Sequence, residues 1–198
     1  MRDVRQQSER LRFRRNLERF GEICAYEISK TLDFKSVMVE TPFGEKSMEI
    51  PADDIVITGI LRAGLPLHQG VLNIFDQAES AFVSTYRRHH KDGSFEVNLE
   101  YVTAPKLDGK VLIIADPMLA TGSTVSNTIR TLSEYGKPKA VHVVTIIACA
   151  QGLSYVRRDH AKAHIWVGGI DDELTAKSYI VPGLGDAGDL CYGEKQVD

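Results

Sequence analysis

Residues 111–130, VLIIADPMLATGSTVSNTIR, constrain the fold more than any other part of the chain. Five apolar residues, Val111 to Ala115, run unbroken into Asp116, the pattern of a parallel strand covered on both faces. A loop follows in which Gly122 frees the backbone and Thr121, Ser123 and Thr124 add hydroxyls, and a helix starts after it. Amides fanned out before a helix N-terminus form a nest of partial positive charge that suits a phosphate monoester. Asp116, at a strand's carboxyl end and one loop-length from that phosphate, is placed to accept hydrogen bonds from sugar hydroxyls. The plain alternative is an ordinary strand-to-helix turn capped by a Ser or Thr.

Much of the chain repeats the same strand, turn and helix order. Residues 55–61 read as an apolar strand, Arg62-Ala63-Gly64 as a turn, and residues 65–75 as a helix with Pro66 tolerated in its first turn. Small residues there let backbone amides approach a pyrophosphate closely, and Arg62 brings a permanent charge with forked donors. Residues 81–86 form the next strand, and Phe95, Val97, Leu99 and Tyr101 alternate as a half-buried one. Between them the basic run Arg87-Arg88-His89-His90-Lys91 leads to the turn signal Asp92-Gly93. Strands at 141–148 and 164–167 flank a helix near 152–160, and a hairpin is expected where residues 36–41 and 47–50 flank Pro42-Phe43-Gly44. The pattern predicts an α/β protein with a mostly parallel sheet flanked by helices and ligand loops at the strands' carboxyl ends.

Residues 8–31 are predicted as a helix, with Phe13, Leu17, Phe20 and Cys24 on one stripe. Its arginines alternate with Glu9, Glu18, Glu22 and Glu27, as on a solvated face, which argues against a nucleic-acid arm. With 198 residues, 43% of them hydrophobic, a single domain is expected: the helix, a core over about 52–168 and an irregular Gly-rich segment over about 170–198. A formal charge of −3 gives no global attraction to nucleic acid or an anionic membrane. No run approaches the roughly 18 apolar residues of a membrane span. The N-terminus is polar, so a cytoplasmic protein is expected. Cys24, Cys149 and Cys191 lack metal or redox spacing and read as free thiols, while His160 and His164 are four apart without a third ligand.

Three segments carry a family resemblance. DPMLATGST (116–124) resembles the phosphoribosyl pyrophosphate (PRPP) loop of phosphoribosyltransferases, in the variant of the uracil phosphoribosyltransferases, where Asp-Pro replaces two adjacent acids. Ser123 departs from the pattern, since a second glycine usually stands there; serine still offers its backbone amide. ILRAG (60–64) is similar to the family's pyrophosphate loop, and YIVPGLGDAGD (179–189) to the hood that contacts uracil through backbone atoms. Tyr86-Arg87 matches a pair on a mobile arm that closes over PRPP, but HHKDGSFEV beyond it departs from the commoner pattern, so His89, His90 and Lys91 receive no role. The resemblance runs from about Arg2 to Gly193.

It implies a type I phosphoribosyltransferase fold with an irregular C-terminal hood and a β-hairpin arm. The implied reaction joins uracil and PRPP to give UMP and pyrophosphate, a pyrimidine salvage step, with Asp116, Arg62 and Asp186 as catalytic residues. PRPP would be held by Arg62, Arg87, Asp116, Pro117, Met118, Leu119, Ala120, Thr121, Gly122, Ser123, Thr124 and Asp186. Uracil would be held by Ile180, Gly185, Asp186 and Ala187. Mg²⁺ is expected on PRPP oxygens rather than on protein ligands. The resemblance further implies a homodimer or larger homo-oligomer and brings GTP into view as the allosteric activator of some members. Many relatives carry an N-terminal extension ahead of the point where the resemblance begins here. The alternative is a PRPP- or UMP-sensing RNA-binding regulator on the same fold.

Overall fold

The computed structural model describes residues 1–89 and 95–195. Helix α1 (Arg10–Ser29) buries Phe13, Leu17, Cys24, Ala25 and Ile28 at helical spacing. Its outer face is solvated as expected, with Arg15 paired to Glu18 at 2.5 Å and Arg19 bonded to Asn16. Strands β1 (Phe34–Thr41) and β2 (Gly44–Pro51) pair as an antiparallel hairpin that stands almost wholly in solvent. Strand β3 (Ile55–Leu61), helix α2 (Gly64–Ile74), strand β4 (Glu79–His89) and strand β5 (Phe95–Thr103) follow. Then come β6 (Val111–Ala115), β7 (Met118–Leu119), helix α3 (Ser123–Leu132) with a 3-10 turn at Ser133–Tyr135, β8 (Ala140–Cys149), helix α4 (Ala150–Asp159) and β9 (His164–Asp171). The C-terminal segment adds β10 (Glu173–Leu174), β11 (Ile180–Val181) and helix α5 (Ala187–Tyr192).

β3 pairs with β4 and β6, β6 with β8, and β8 with β9, all in parallel, and β5 closes the β4 edge antiparallel. β7 resumes pairing with β8 after the break at Asp116-Pro117. Because β6 is covered on both faces, its side chains sort by alternation. Val111, Ile113 and Ala115 pack with Cys24, Ala25, Ile28, Leu67 and Val71 of α1 and α2. Leu112 and Ile114 pack with Val125, Ile129, Leu153 and Val156 of α3 and α4. Each Val, Leu or Ile among them contributes roughly 1.5–3 kcal/mol by leaving water. That double layer fixes where β6 ends, and so where Asp116 and the loop after it stand.

A third cluster joins Phe13 and Leu17 to Ile147 and Cys149 and, from the C-terminal segment, Ile180, Leu184, Ala187 and Cys191. The irregular tail is therefore seated on α1 and the end of β8. The strand and helix expectations hold, with ends shifted by a few residues; the short strands β7, β10 and β11 and the six-residue α5 are additions too brief to leave a periodic signal.

Candidate active site

β6 delivers Asp116 to the sheet's carboxyl edge, where its amide donates to the Val144 carbonyl and its carboxylate accepts from the Met118 amide at 3.4 Å. The residues after it lead into α3. Gly122 is the residue preceding that helix, with φ 82°, so glycine rather than a Ser or Thr side chain makes the cap. Thr121 and Ser123 hydroxyls are 2.8 Å apart, and the Ser123 amide donates to Thr121 Oγ1 at 3.3 Å. The first helical bond is Ser126 N–H to the Gly122 carbonyl, which leaves the Thr124 and Val125 amides without a helical acceptor at the N-terminal end. These residues, with Asp116, Met118, Leu119, Ala120 and Thr121, line a small cleft. Such a concavity at a helix N-terminus favours an anion.

The floor of this loop comes from α4. A Cβ on Gly152 would stand 2.1 Å from the Ala120 carbonyl oxygen, and one on Gly122 would stand 2.6 Å from the Gly152 carbonyl oxygen. Backbone therefore meets backbone, with no room for a side chain at either position. Ser126 adds a tie between the two helices: its hydroxyl donates to Asp159 at 3.2 Å and lies 2.9 Å from His160 Nε2. His160 is thus occupied in packing and His164 starts β9, stacked on His142. His142 is buried beside Trp166, whose indole donates to its Nδ1, and burial followed by the nearby His164 pulls its pKa down to about 4.

β3 is the neighbour of β6, with Gly59 opposite Ala115, so Arg62 and Asp116 leave adjacent strands at the same edge. The two turns are pressed together: a Cβ on Gly64 would meet the Ala115 carbonyl oxygen at 2.4 Å. β4 pairs with β3 as far as Ser84 and then continues to His89 with β5 alone, after a register shift between Ser84 and Thr85. Arg87 therefore lies three residues beyond the edge, about 10 Å at the usual strand rise. Its side chain, and the segment with His90, Lys91, Asp92 and Gly93, lie outside the described residues.

The C-terminal segment bends over the same edge. The Arg62 guanidinium pairs with Asp189 at 2.7 Å and donates to the Gly193 carbonyl at 3.2 Å. Arg14 of α1 donates to the Cys191 carbonyl. Asp186 precedes α5 and accepts the Asp189 amide at 3.0 Å, with Lys195 Nζ at 3.3 Å. Burial pushes its pKa up, but the Asp189 amide and the Lys195 charge outweigh it and hold the carboxyl below the usual range. Ile180 is buried on β11, and Gly183 and Gly185 both take positive φ, 59° and 93°. Arg2 grips this segment from the start of the chain, with both its terminal nitrogens on Asp171 at 2.7 and 3.0 Å.

The structure thus brings residues 116–124, Arg62 and residues 180–189 to one edge of one sheet. Arg2, Asp171 and Gly152 also build this region and were not singled out from the sequence, and Asp189, the last residue of the hood motif, was given no role in binding there. Gly152 alone had a readable signal, a glycine inside a predicted helix. The ion pairs span 127 and 169 residues and leave no local pattern.

A parallel sheet carrying an anion loop after its central strand, an Arg-bearing turn beside it and an irregular cover above them has the architecture of the phosphoribosyltransferases. A hypoxanthine phosphoribosyltransferase from Staphylococcus aureus shares the fold, with a TM-score of 0.56 at 15% identity over 81% of this chain and 76% of that one. A solved protein of Aquifex aeolicus superposes more closely, with a TM-score of 0.84 at 34% identity over 91% of this chain and 85% of that one. The family model for uracil phosphoribosyltransferase matches residues 1–194. A uracil phosphoribosyltransferase of Porphyromonas gingivalis is 50% identical over 98% of this chain and 91% of its own length. One of Pyrococcus furiosus is 38% identical over 94% and 81%. The chain belongs to the uracil phosphoribosyltransferase family.

Proposed function

We propose that this protein transfers the 5-phosphoribosyl group of PRPP to uracil, giving UMP and pyrophosphate. The observation that carries the reading is the convergence of the phosphate loop, the Arg62 turn and the hood on one sheet edge, with Arg62 of the turn bonded to the hood. In the reaction N1 of uracil bonds to C1′ of ribose while the bond from C1′ to the pyrophosphate oxygen breaks. The electron pair leaves with pyrophosphate, and the N1 proton passes to pyrophosphate or water. Because the ribose carbon becomes cation-like and the leaving group gains charge, positioning and electrostatics supply most of the catalysis.

Thr121, Gly122, Ser123 and Thr124 hold the 5′-phosphate, with Pro117, Met118, Leu119 and Ala120 shaping the loop around it. Asp116 accepts the ribose hydroxyls. Arg62 and Arg87 stabilise the departing pyrophosphate, and Asp186 faces the reacting ribose. Backbone groups of Ile180, Gly185 and Ala187 select the base. No group of three or more His, Cys, Asp or Glu among the described residues could hold a metal ion unaided. A Mg²⁺ carried in on PRPP oxygens would neutralise charge on the leaving group.

The three apolar clusters share their strands, which supports reading the chain as one domain. No helix among the described residues is long and apolar enough to cross a membrane. Nothing favours the RNA-binding alternative, and the formal charge of −3 opposes it. The test is a steady-state assay with uracil, PRPP and Mg²⁺. UMP and pyrophosphate should form in equal amounts, and absence of UMP from folded protein would overturn the reading.

A further inference from the structure

Gly183 sits in the turn between β11 and α5, and both of its backbone polar groups are engaged from far away in the chain. Its amide donates to Asp171 Oδ2 at 2.9 Å, and its carbonyl accepts from Arg2 at 3.2 Å. Asp171 ends β9 with its side chain 8% exposed, and Arg2 closes the node by holding both carboxylate oxygens. The same leading segment stays close: Gln7 donates to the Arg2 carbonyl, and its Oε1 is 4.0 Å from the position a Cβ on Gly185 would occupy. Ile180 and Gly185, the residues assigned to the base, therefore flank a residue whose backbone is fixed by Arg2 and Asp171.

We infer that Arg2 and Asp171 are positioning residues for uracil: their ion pair sets the backbone of residues 180–185 and so the affinity for the base, without touching it. This rests on the function proposed above. Backbone recognition makes the inference necessary, since amides and carbonyls cannot swing to a ligand as side chains do. A shift of a few tenths of an ångström in the turn moves every donor and acceptor the base would meet. The forked guanidinium suits the task because it spans two carboxylate oxygens and a carbonyl at once, whereas an ammonium is a point charge. The phosphate loop, Thr121 to Thr124, shares none of these contacts, so the node acts on the base more than on PRPP.

The test compares wild type with Arg2→Ala, Arg2→Lys, Asp171→Asn and the Arg2→Ala/Asp171→Asn double variant. Arg2→Ala should raise KM for uracil about tenfold while KM for PRPP stays within about twofold, the loss expected of one charge-assisted contact. Arg2→Lys should recover little of it, and the double variant should resemble the worse single one, as coupled residues do. Hydrogen exchange without ligand gives an activity-independent reading: in Arg2→Ala, residues 180–186 should exchange about tenfold faster while β6 and β8 keep their rates. Uracil KM within about twofold of wild type, or PRPP KM rising in proportion, overturns the inference. So does unchanged exchange in the hood. Should wild type make no UMP, the function falls, and the exchange comparison still decides whether Arg2 holds this turn.

Discussion

The phosphate loop and the base hood cover the same sheet edge but are held in opposite ways. The loop is fixed by its immediate surroundings: Asp116 N–H to Val144, Ile146 and Ile147 N–H to Pro117, and backbone packed on Gly152. The hood is fixed by arginines distant in sequence, Arg2, Arg14 and Arg62, reaching Asp171, the Cys191 carbonyl and Asp189. Two of these contacts are ion pairs with one partner about two-fifths exposed. With one partner open to solvent these pairs are screened and hold less firmly than backbone packed on backbone, so the hood is the more easily loosened half. The difference matches the two ligands. A phosphate needs a fixed nest of amides; a flat base must enter beneath a cover that can yield.

The largest expected effect tests the hood as a backbone reader. Uracil offers O4 as acceptor and N3–H as donor, and cytosine reverses both. Fixed amides and carbonyls cannot exchange roles, so cytosine leaves buried groups unpaired at roughly 1–3 kcal/mol each. Discrimination in kcat/KM should reach about 10⁴, while 5-fluorouracil, which keeps both groups, should react. Turnover of cytosine within about tenfold of uracil would mean that the hood reads the base in some other way.

Asp116→Asn addresses the loop side alone. The substitution preserves shape and exchanges a charged acceptor for a neutral one, costing roughly 1.5–3 kcal/mol, or about tenfold to a hundredfold in kcat/KM for PRPP. Thermal stability should stay near that of wild type. An unchanged rate would remove Asp116 from the reaction.

Gly152→Ala is a smaller perturbation that sharpens the contrast. Alanine is the better helix former by about 1 kcal/mol, but its methyl would meet the Ala120 carbonyl at 2.1 Å, and overpacking of this kind costs about 1–3 kcal/mol. The clash wins, by up to about 2 kcal/mol, and the loop must move. KM for PRPP should rise while hood exchange stays constant. If both regions loosened together, the two would not be independent.

What the sequence disclosed follows the same division. The loop was readable because its pieces are contiguous: five apolar residues, an acid, a glycine with positive φ and a helix start all fall within residues 111–130. The parallel sheet was readable from the alternation of strands and helices. The hood was recognisable by resemblance, but its supports were not, because Arg2 meets Asp171 only after the whole sheet has formed. Among the basic residues of the first turns, nothing in composition separates Arg2 and Arg14, which touch the hood, from Arg12 and Arg15, which face solvent.

Acid should separate the two regions with the smallest effect of all. The Arg2 hydrogen bond, opposed by burial and helped by the Gly183 amide, holds the Asp171 carboxyl below the usual range. Asp186 is depressed as well, against its burial, by the Asp189 amide and Lys195. A carboxyl whose folded pKa lies below its unfolded value stabilises the fold above the unfolded value, near 3.9, and that stabilisation disappears as pH falls through the folded one. Hood protection against hydrogen exchange, corrected for intrinsic rates, should therefore be flat from neutral pH to about 5 and decline below about 4. The β6–α3 loop is anchored chiefly by backbone groups that do not titrate, so its protection should persist further into acid. Arg2→Ala removes the contact that depresses Asp171, so hood protection should be lower at neutral pH and lose less on acidification. Simultaneous loss in hood and loop at one pH, unaffected by Arg2→Ala, would show that acid acts through the shared sheet and that the ion pairs do not govern the hood.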